Sequence, residues 1–375
     1  MLDMESAPEI ETATESAPLA AAIHLAFAFD VGYEIDLDAA KALVAVEAGE
    51  LPRRKRTPES IRYRPAPLRF AVEAAAMKPP SGLVAVAPVR AELAVFDFGA
   101  ISLMVHFPVE ATPEALSHAL GELAEAASWT ESARAIVSPW VERLRPAILG
   151  YEWSPLSEEY VVVQLGEVTP TWLAEHAEWV AGLVRLEPGP LSAEERAEAI
   201  RLAISYAPND LVVLDWAAGL VADRDCADTL QVIEFANVQL LEFRHIDDRL
   251  DDRLEAAYKL IRADRPRRRF RLPWRTHEEA VRNVRELEIE ATSLFERADN
   301  ALKLIGDQYL SRVYALASAR FHLPGWQQSI RRKLDTVGDV YDLLVQQAGG
   351  TRMEVLEIVV VVLIALEIVL AMVRH

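Results

Sequence analysis

Residues 23–36 read IHLAFAFDVGYEID, the clearest strand pattern in the chain. Large apolar residues alternate with smaller or polar ones from Ile23 to Phe29, which is the period-2 pattern of a β-strand with an apolar face. The next stretch, DLDAAKALVAVEAG from Asp36, has helical spacing and begins with an aspartate that can cap a helix. A strand followed directly by a helix predicts a mixed α/β domain.

The same mixture continues to Val168. Further strand candidates lie at Leu68–Val72, Leu83–Val86, Leu93–Phe98 and Ile101–Phe107, and at SEEYVVVQLGEV from Ser157. TPEALSHALGELAEAASW, from Thr112, is a helix pattern with a threonine cap. We therefore predict an α+β fold with an α/β head domain over residues 19–168. Residues 1–18, rich in Glu, Thr, Ser and Pro, predict a disordered acidic tail.

Beyond Pro170 the patterns become helical. Three segments predict short helices in a helical middle region at residues 169–228: TPTWLAEHAEWVAGLVRL, LSAEERAEAIRLAISYA and NDLVVLDWAAGLVADRD. Two much longer apolar stripes follow, one from Ile233 to Ile261 and one without interruption from Val284 to Phe321. Helices of about 35 and 45 residues far exceed the usual 11 to 12, so we predict a long antiparallel, coiled-coil-like stalk over residues 229–350.

Four small or polar residues lie within an otherwise apolar stretch of the second long helix: Asp299, Asn300, Gly306 and Asp307. Glycine costs about 1 kcal/mol inside a helix, so Gly306 predicts close packing at this point. The polar neighbours are predicted to fix the register of the stalk, as a buried asparagine does in coiled coils. The alternative is a polar ligand or ion site within the stalk.

The chain ends in its most apolar segment, MEVLEIVVVVLIALEIVLAMV at residues 353–373. As a helix these 21 residues would rise about 31 Å, close to the thickness of a bilayer's hydrocarbon core. We therefore predict one C-terminal transmembrane helix within residues 351–375, the alternative being a helix buried in the core of an oligomer. The predicted anchor residues are Leu356, Ile358, Val362, Ile364, Glu367 and Leu370.

The acidic N-terminus has neither the basic nor the apolar region of a secretory signal. Together with a single C-terminal anchor, this predicts a tail-anchored protein of the bacterial inner membrane with its body facing the cytoplasm.

The chain is acidic, with 58 Asp and Glu against 39 Lys and Arg and a formal net charge of −19. This charge disfavours general nucleic-acid binding, and the single Cys226 excludes an internal disulfide. A basic patch nevertheless lies at the predicted hairpin tip: Arg265, Arg267, Arg268, Arg269, Arg271 and Trp274. Another basic cluster is Arg53, Arg54, Lys55, Arg56, Arg62, Arg64 and Arg69. Such clusters suit RNA phosphates or anionic lipid headgroups, or they pair with acids of the same chain.

Motifs for catalysis are missing from the sequence: no phosphate-binding loop, dinucleotide motif, HExxH or GxSxG occurs. Glu242 and His245 have the Glu-x-x-His spacing of di-iron bundles, but a complete site needs two such pairs. The acids Asp247, Asp248, Asp251 and Asp252 suit either a divalent cation or the solvated face of a helix. We predict that the protein is not an enzyme and holds no metal or cofactor, and we identify no small-molecule substrate.

Three segments resemble one known family: FDFGAISLMVHF from Phe96, SLFERADNALKLIGDQYLSRVYALA from Ser293, and LEIVVVVLIALEI from Leu356. In the order of an aromatic-glycine strand, long helices and a short C-terminal apolar segment, the chain resembles the DUF155 group, also called the RMND1–Rmd1–YagE family. The resemblance implies a membrane-anchored, oligomeric and non-enzymatic protein, with mitochondrial relatives that support translation at the inner membrane.

We therefore expect a non-enzymatic, homo-oligomeric, tail-anchored membrane scaffold, with copies of itself and the membrane as partners. One alternative is a membrane-associated adaptor that binds RNA or ribosomes through the arginine-rich hairpin tip and supports translation. Another is an ion-conducting or ion-sensing membrane assembly.

Overall fold

The computed structural model of the protein describes residues 17–45, 65–74, 77–125, 128–263, 289, 291–293, 295–296 and 307–340. Its strands are β1 (Leu19–Asp30), β2 (Glu34–Ile35), β3 (Leu68–Val72), β4 (Arg90–Val95), β5 (Ala100–Ala111), β6 (Ile148–Leu149), β7 (Ser157–Leu165), β8 (Leu211–Leu214) and β9 (Ala218–Ala222). Its helices are α1 (Leu37–Val44), α2 (Pro113–Glu125), α3 (Ser128–Leu144), α4 (Trp172–Glu175), α5 (Ala177–Arg185), α6 (Ala193–Ile200), α7 (Ala227–Ala263), α8 (Gln308–Arg320) and α9 (323–340), with helical residues also at 289, 291–293 and 295–296.

Seven of these strands form one sheet in the order β3-β4-β5-β1-β7-β9-β8, and β2 pairs separately with β6. Neighbouring strands of the large sheet are antiparallel except for β7 and β9. The central strand β1 pairs with β5 from Leu19 to Asp30 and with β7 from Ala21 to Phe29. The strand predicted from the alternation at residues 23–29 is thus confirmed, and it lies in the middle of the sheet.

Helices cover both faces of this sheet. The odd-numbered apolar residues of β1, such as Leu25 and Phe27, face a core shared with α1, α2, α3, α5 and α6. The alternate residues Ala26 and Ala28 face a second core shared with α7, α8 and α9. The described part of the chain is therefore a mixed α/β fold with helices on both sides of a seven-stranded sheet.

The predicted helix caps are confirmed. Asp36 accepts hydrogen bonds from the backbone N–H groups of Asp38 and Ala39 at the start of α1. Thr112 Oγ1 accepts from the backbone N–H of Ala115 in α2. These bonds satisfy N–H groups that have no partner inside a helix, so each helix begins where its cap lies.

In the middle region, two of the three predicted helical segments are confirmed as α4 with α5 and as α6, and the third departs from the prediction. The segment NDLVVLDWAAGLVADRD, expected to be a helix, instead forms the hairpin β8–β9, which extends the sheet beyond β7. Leu211–Leu214 and Ala218–Ala222 are short and buried throughout, and a short apolar run has the same pattern in a buried strand and in a buried helix. The helical prediction for this segment is wrong because the strands are buried on both faces.

The long helix predicted from Ile233 to Ile261 is confirmed as α7, which has 37 residues. The second predicted long helix is not continuous, because the backbone of Asp307 is extended and α8 begins after it. The Asp307 carboxylate accepts the N–H groups of Tyr309 and Leu310, which makes Asp307 the N-cap of α8. Asp299, Asn300 and Gly306 lie outside the described residues.

The helices that the structure describes contradict the predicted membrane-spanning architecture. Within the described ranges, no helix combines the length and the apolar character of a bilayer crossing. α7 is long enough, but it carries acids and arginines in alternation around residues 247–253. The described fold is therefore mixed α/β and contains no membrane helix. The predicted inner-membrane location depended on a membrane helix, so the described part of the chain does not support it. Residues 351–375, with the six predicted anchor residues, lie outside the described part.

Candidate functional site

A row of five side chains crosses the sheet on the face covered by α7. Arg69 of β3 pairs with Ala94 of β4, Ala94 with Ser102 of β5, Ser102 with Ala28 of β1, and Ala28 with Glu158 of β7. Directly paired residues of neighbouring strands point to the same face of a sheet. This cross-strand row is therefore charged at both ends and small at its centre.

α7 forms an ion pair with each end of the cross-strand row. Arg69 Nη2 lies 2.5 Å from Glu234 Oε2 of α7, and Arg69 Nη1 lies 2.8 Å from Glu92 Oε1 of β4. At the other end, Arg244 of α7 pairs with Glu158. The sheet supplies the cation at one end and the anion at the other, so a reversed helix would place like charges together and a shifted helix would separate both pairs. The two pairs thus define how α7 docks.

Burial and pairing oppose each other at both ends of the row. Burial alone would lower the pKa of Arg69, but the carboxylates of Glu234 and Glu92 outweigh it and hold that pKa above its ordinary value. Burial raises the pKa of Glu158, and Arg244 opposes this increase. Because each charge relies on its partner, loss of one partner leaves the other in an unfavourable environment.

The centre of the row is small and tightly enclosed. Ala28, Ala94 and Ser102 are fully buried, and Glu234 and Asn237 of α7 are each 1% exposed. Among the described residues, no hydrogen-bond partner reaches Ser102 Oγ, Glu234 Oε1 or Asn237 Nδ2. A buried polar atom without a partner costs about 1–3 kcal/mol, so the interface with α7 accepts a penalty at this point.

Replacing Ser102 with alanine is expected to raise the free energy of unfolding by about 1 kcal/mol, because it removes a buried hydroxyl that has no partner. Chemical denaturation measures the change. Ser132→Ala is the control, since its hydroxyl donates to the carbonyl of Ser128 on an exposed helix face. That variant should stay within about 0.5 kcal/mol of the wild type. A less stable Ser102→Ala protein would show that the Ser102 hydroxyl has a hydrogen-bond partner in solution.

Ser154, His245 and Asp30 have the composition of a hydrolytic triad but not its geometry. Ser154 Oγ lies 3.2 Å from His245 Nδ1, and His245 Nε2 lies 3.8 Å from Asp30 Oδ1. Ser154 is 2% exposed and its hydroxyl accepts the N–H of Leu156, whereas a nucleophile must reach its substrate. Burial, assisted by Arg249, lowers the pKa of His245 to about 4. The trio therefore fits a clamp between α7 and the loop before β7.

A pair of histidines lies on the same sheet face, nearer the start of β1. His24 Nδ1 of β1 is 2.6 Å from His106 Nδ1 of β5, and His24 Nε2 is 3.0 Å from Gln164 Oε1 of β7. Gln164 Nε2 donates to the carbonyls of Asp223, at 2.8 Å, and Arg224, at 3.4 Å. Because these two residues connect β9 to α7, a chain of polar side chains links three strands to the start of α7.

The structure describes few of the residues that the sequence singled out. The arginine-rich tip with Arg265, Arg267, Arg268, Arg269, Arg271 and Trp274 lies outside the described residues, as does the first basic cluster apart from Arg69. Arg69 pairs with acids of the same chain, which is one of the three alternatives given for that cluster. The role of the remaining arginines stays a prediction.

The acids of α7 that suited a cation lie next to a lysine. Lys333 Nζ of α9 is 2.9 Å from Asp247 Oδ2 and 2.7 Å from Asp251 Oδ1. In the described part of the chain, no group of three or more potential ligands could hold a metal ion, so Glu242 and His245 gain no further ligand there. Asp247 and Asp251 therefore join α7 to α9, whereas Asp248 and Asp252 are exposed.

Sequence reasoning missed the groups that the fold brings together. Glu234 and Arg69 are 165 positions apart, and His24 and His106 are 82 apart. One local signal was available in β1, where Leu and Phe alternate with His24, Ala26 and Ala28. The face of the strand opposite the Leu and Phe side chains therefore carries small or polar residues. A small-residue face on a central strand indicates close packing by a helix.

A family model described as "Uncharacterized protein MJ0711, N-terminal domain" matches residues 20–229. The match covers more than half of the 375 residues, and the chain belongs to this family. A similar protein is "Uncharacterized protein MJ0711" of Methanocaldococcus jannaschii, 24% identical over 228 residues, which are 60% of this chain and 69% of the relative. No solved structure matches. These matches do not test the resemblance to the DUF155 group, which stays a prediction.

Proposed function

We propose that this member of the MJ0711 N-terminal domain family is a non-enzymatic interaction protein that assembles with copies of itself through the distal part of α7. Support comes from the length of that helix. Leu250 is fully buried, whereas Asp251, Asp252, Glu255 and Lys259 are all exposed. We call residues 251–263 the α7 arm; its 13 residues add about 20 Å of helix beyond Leu250.

The base of the α7 arm is held firmly. Lys333 of α9 bridges Asp247 and Asp251 where the arm begins. The Phe295 ring contacts the ring of Phe243, with 5.9 Å between the ring centres, and the guanidinium of Arg331, which lies 4.9 Å from the centre of the Phe295 ring. A helix fixed at its base retains its direction, which lowers the entropic cost of binding a partner.

The charge order along the arm suits a second copy of the chain. The sequence is acidic at the base, DDRLEA at residues 251–256, and basic towards the far end, KLIRA at residues 259–263. In a two-fold symmetric pair, each surface meets its own copy, so an antiparallel contact places the acidic base of one arm against the basic end of the other. Glu255 and Lys259 also pair within the arm, which supports its helical state.

The polar clusters beneath α7 also favour an interaction role over catalysis. The ion pairs of the cross-strand row and the Ser154–His245–Asp30 clamp attach α7 to the sheet. The alternatives of RNA binding or ion conduction depend on residues outside the described part, and they stay predictions.

Ala256→Pro tests this proposal, because Ala256 is exposed in the arm and proline inside a helix costs about 3 kcal/mol. Light scattering of the purified full chain should give a multiple of 41.7 kDa for the wild type and for the control Ala256→Ser. The proline variant should have the mass of a single chain and a largely unchanged circular dichroism spectrum. A monomeric wild type at tens of micromolar, or an Ala256→Pro protein that still assembles, contradicts the proposal.

A further inference from the structure

We propose that His24 and His106 form a proton-controlled latch that holds the start of α7 against the sheet. The latch consists of His106 of β5, His24 of β1, Gln164 of β7 and the carbonyls of Asp223 and Arg224. It lies within the part of the chain that contains the sheet, and it is separate from the α7 arm.

The hydrogen bonds fix the position of each proton in the latch. An amide donates only through nitrogen, and Gln164 Nε2 already faces the two backbone carbonyls, so Gln164 Oε1 is an acceptor. His24 must then donate through Nε2 and, when neutral, has a lone pair on Nδ1. His106 Nδ1 must therefore carry the proton that lies between the two rings.

Only one proton fits between the two Nδ1 atoms, which are 2.6 Å apart. His106 can gain a second proton at Nε2 and still donate to His24, so the latch tolerates one positive charge. A proton on each Nδ1 atom at once would point two N–H groups at each other and break the contact. The closed latch therefore holds at most one added proton, and that charge falls on the half-buried His106 rather than on His24, which is 5% exposed.

The surroundings of His24 keep it neutral. His24 is 5% exposed, and burial lowers its pKa to about 3, with His106 and Arg90 acting in the same direction and Gln164 opposing them. Arg90 is in β4, directly opposite His106. The β9–α7 junction and the first turn of α7 add charged residues nearby in the chain: Asp223, Arg224, Asp225 and Asp228.

Opening of the latch is thereby linked to pH. In the open state His24 regains the ordinary histidine pKa of about 6.5 and binds a proton below that pH, whereas in the closed state it stays neutral down to about pH 3. The open state binds more protons, so acidification favours it. With these two pKa values, the opening equilibrium rises about 25-fold between pH 7 and pH 5.

Hydrogen–deuterium exchange of the full chain tests the latch at residues 225–231, with rates corrected for the intrinsic pH dependence of exchange. In the wild type, opening at these residues should rise about 25-fold from pH 7 to pH 5. His24→Gln keeps a hydrogen-bonding side chain but cannot titrate, so its opening should not depend on pH. The control is His118→Gln, because His118 is exposed on α2, and it should behave like the wild type.

A second measurement does not need a variant. Nuclear magnetic resonance of the wild type with labelled histidine should show His24 as the neutral Nε2–H form at pH 5. A His24 that titrates near pH 6.5, or opening that changes equally with pH in the wild type and in His24→Gln, would overturn the latch.

Discussion

Arg69→Met is expected to lower the free energy of unfolding by about 3–5 kcal/mol, the usual cost of removing one partner from a buried ion pair. Glu234 is 1% exposed, and one of its carboxylate oxygens forms an ion pair with Arg69. Methionine fills much of the same volume but supplies no charge, so Glu234 would keep a buried negative charge without its cation. Denaturant unfolding at neutral pH measures the loss.

Two further variants separate the charge from the shape of Arg69. The double variant Arg69→Met/Glu234→Leu removes both charges and should recover most of the lost stability, because a buried pair replaced by apolar residues is often neutral. Arg201→Met removes an exposed arginine that pairs with Glu198 and should cost at most about 1 kcal/mol. If Arg69→Met lowers the free energy of unfolding no more than Arg201→Met does, the ion pair of Arg69 with Glu234 is not buried in solution.

The sequence was sufficient where local patterns carry the information. The alternation from Ile23 to Phe29 predicted β1, and the caps Asp36 and Thr112 marked where two helices begin. The apolar stripe from Ile233 predicted α7. Each of these features depends on residues within one or two turns of each other, so sequence spacing alone reveals it.

The rest depends on contacts between distant residues. The hairpin β8–β9 has short apolar runs that fit either a helix or a strand, and only its pairing with β7 decides between them. The ion pair of Arg69 with Glu234 has no local signature, and Arg69 belonged to a cluster that also suited RNA. The break at Asp307 is an exception, because its capping bonds to Tyr309 and Leu310 are local. It was missed because the apolar stripe continues on both sides of it.

Gly99→Ala is expected to lower the free energy of unfolding by about 3–5 kcal/mol. Gly99 lies in the β4–β5 turn of the FDFG segment with φ of +93°, and a Cβ atom there would lie 1.7 Å from the carbonyl oxygen of Gly32. The left-handed conformation alone costs alanine about 1–2 kcal/mol. The clash would also separate two loops joined by the hydrogen bonds Val31 N–H to Gly99 O and Ile35 N–H to Asp97 O, each worth about 1 kcal/mol.

Gly82→Ala provides a matched control, because Gly82 has φ of +78° but no atom within 4 Å of the position that a Cβ atom would take. Its cost should be the conformational part alone, about 1–2 kcal/mol. The difference between the two variants, measured by denaturant unfolding, then reports the close approach of the β4–β5 turn to Gly32. Equal losses would contradict that contact. A larger loss for Gly99→Ala would give the aromatic-glycine segment a structural role, since only glycine lets the end of the β4–β5 hairpin touch the loop that follows β1.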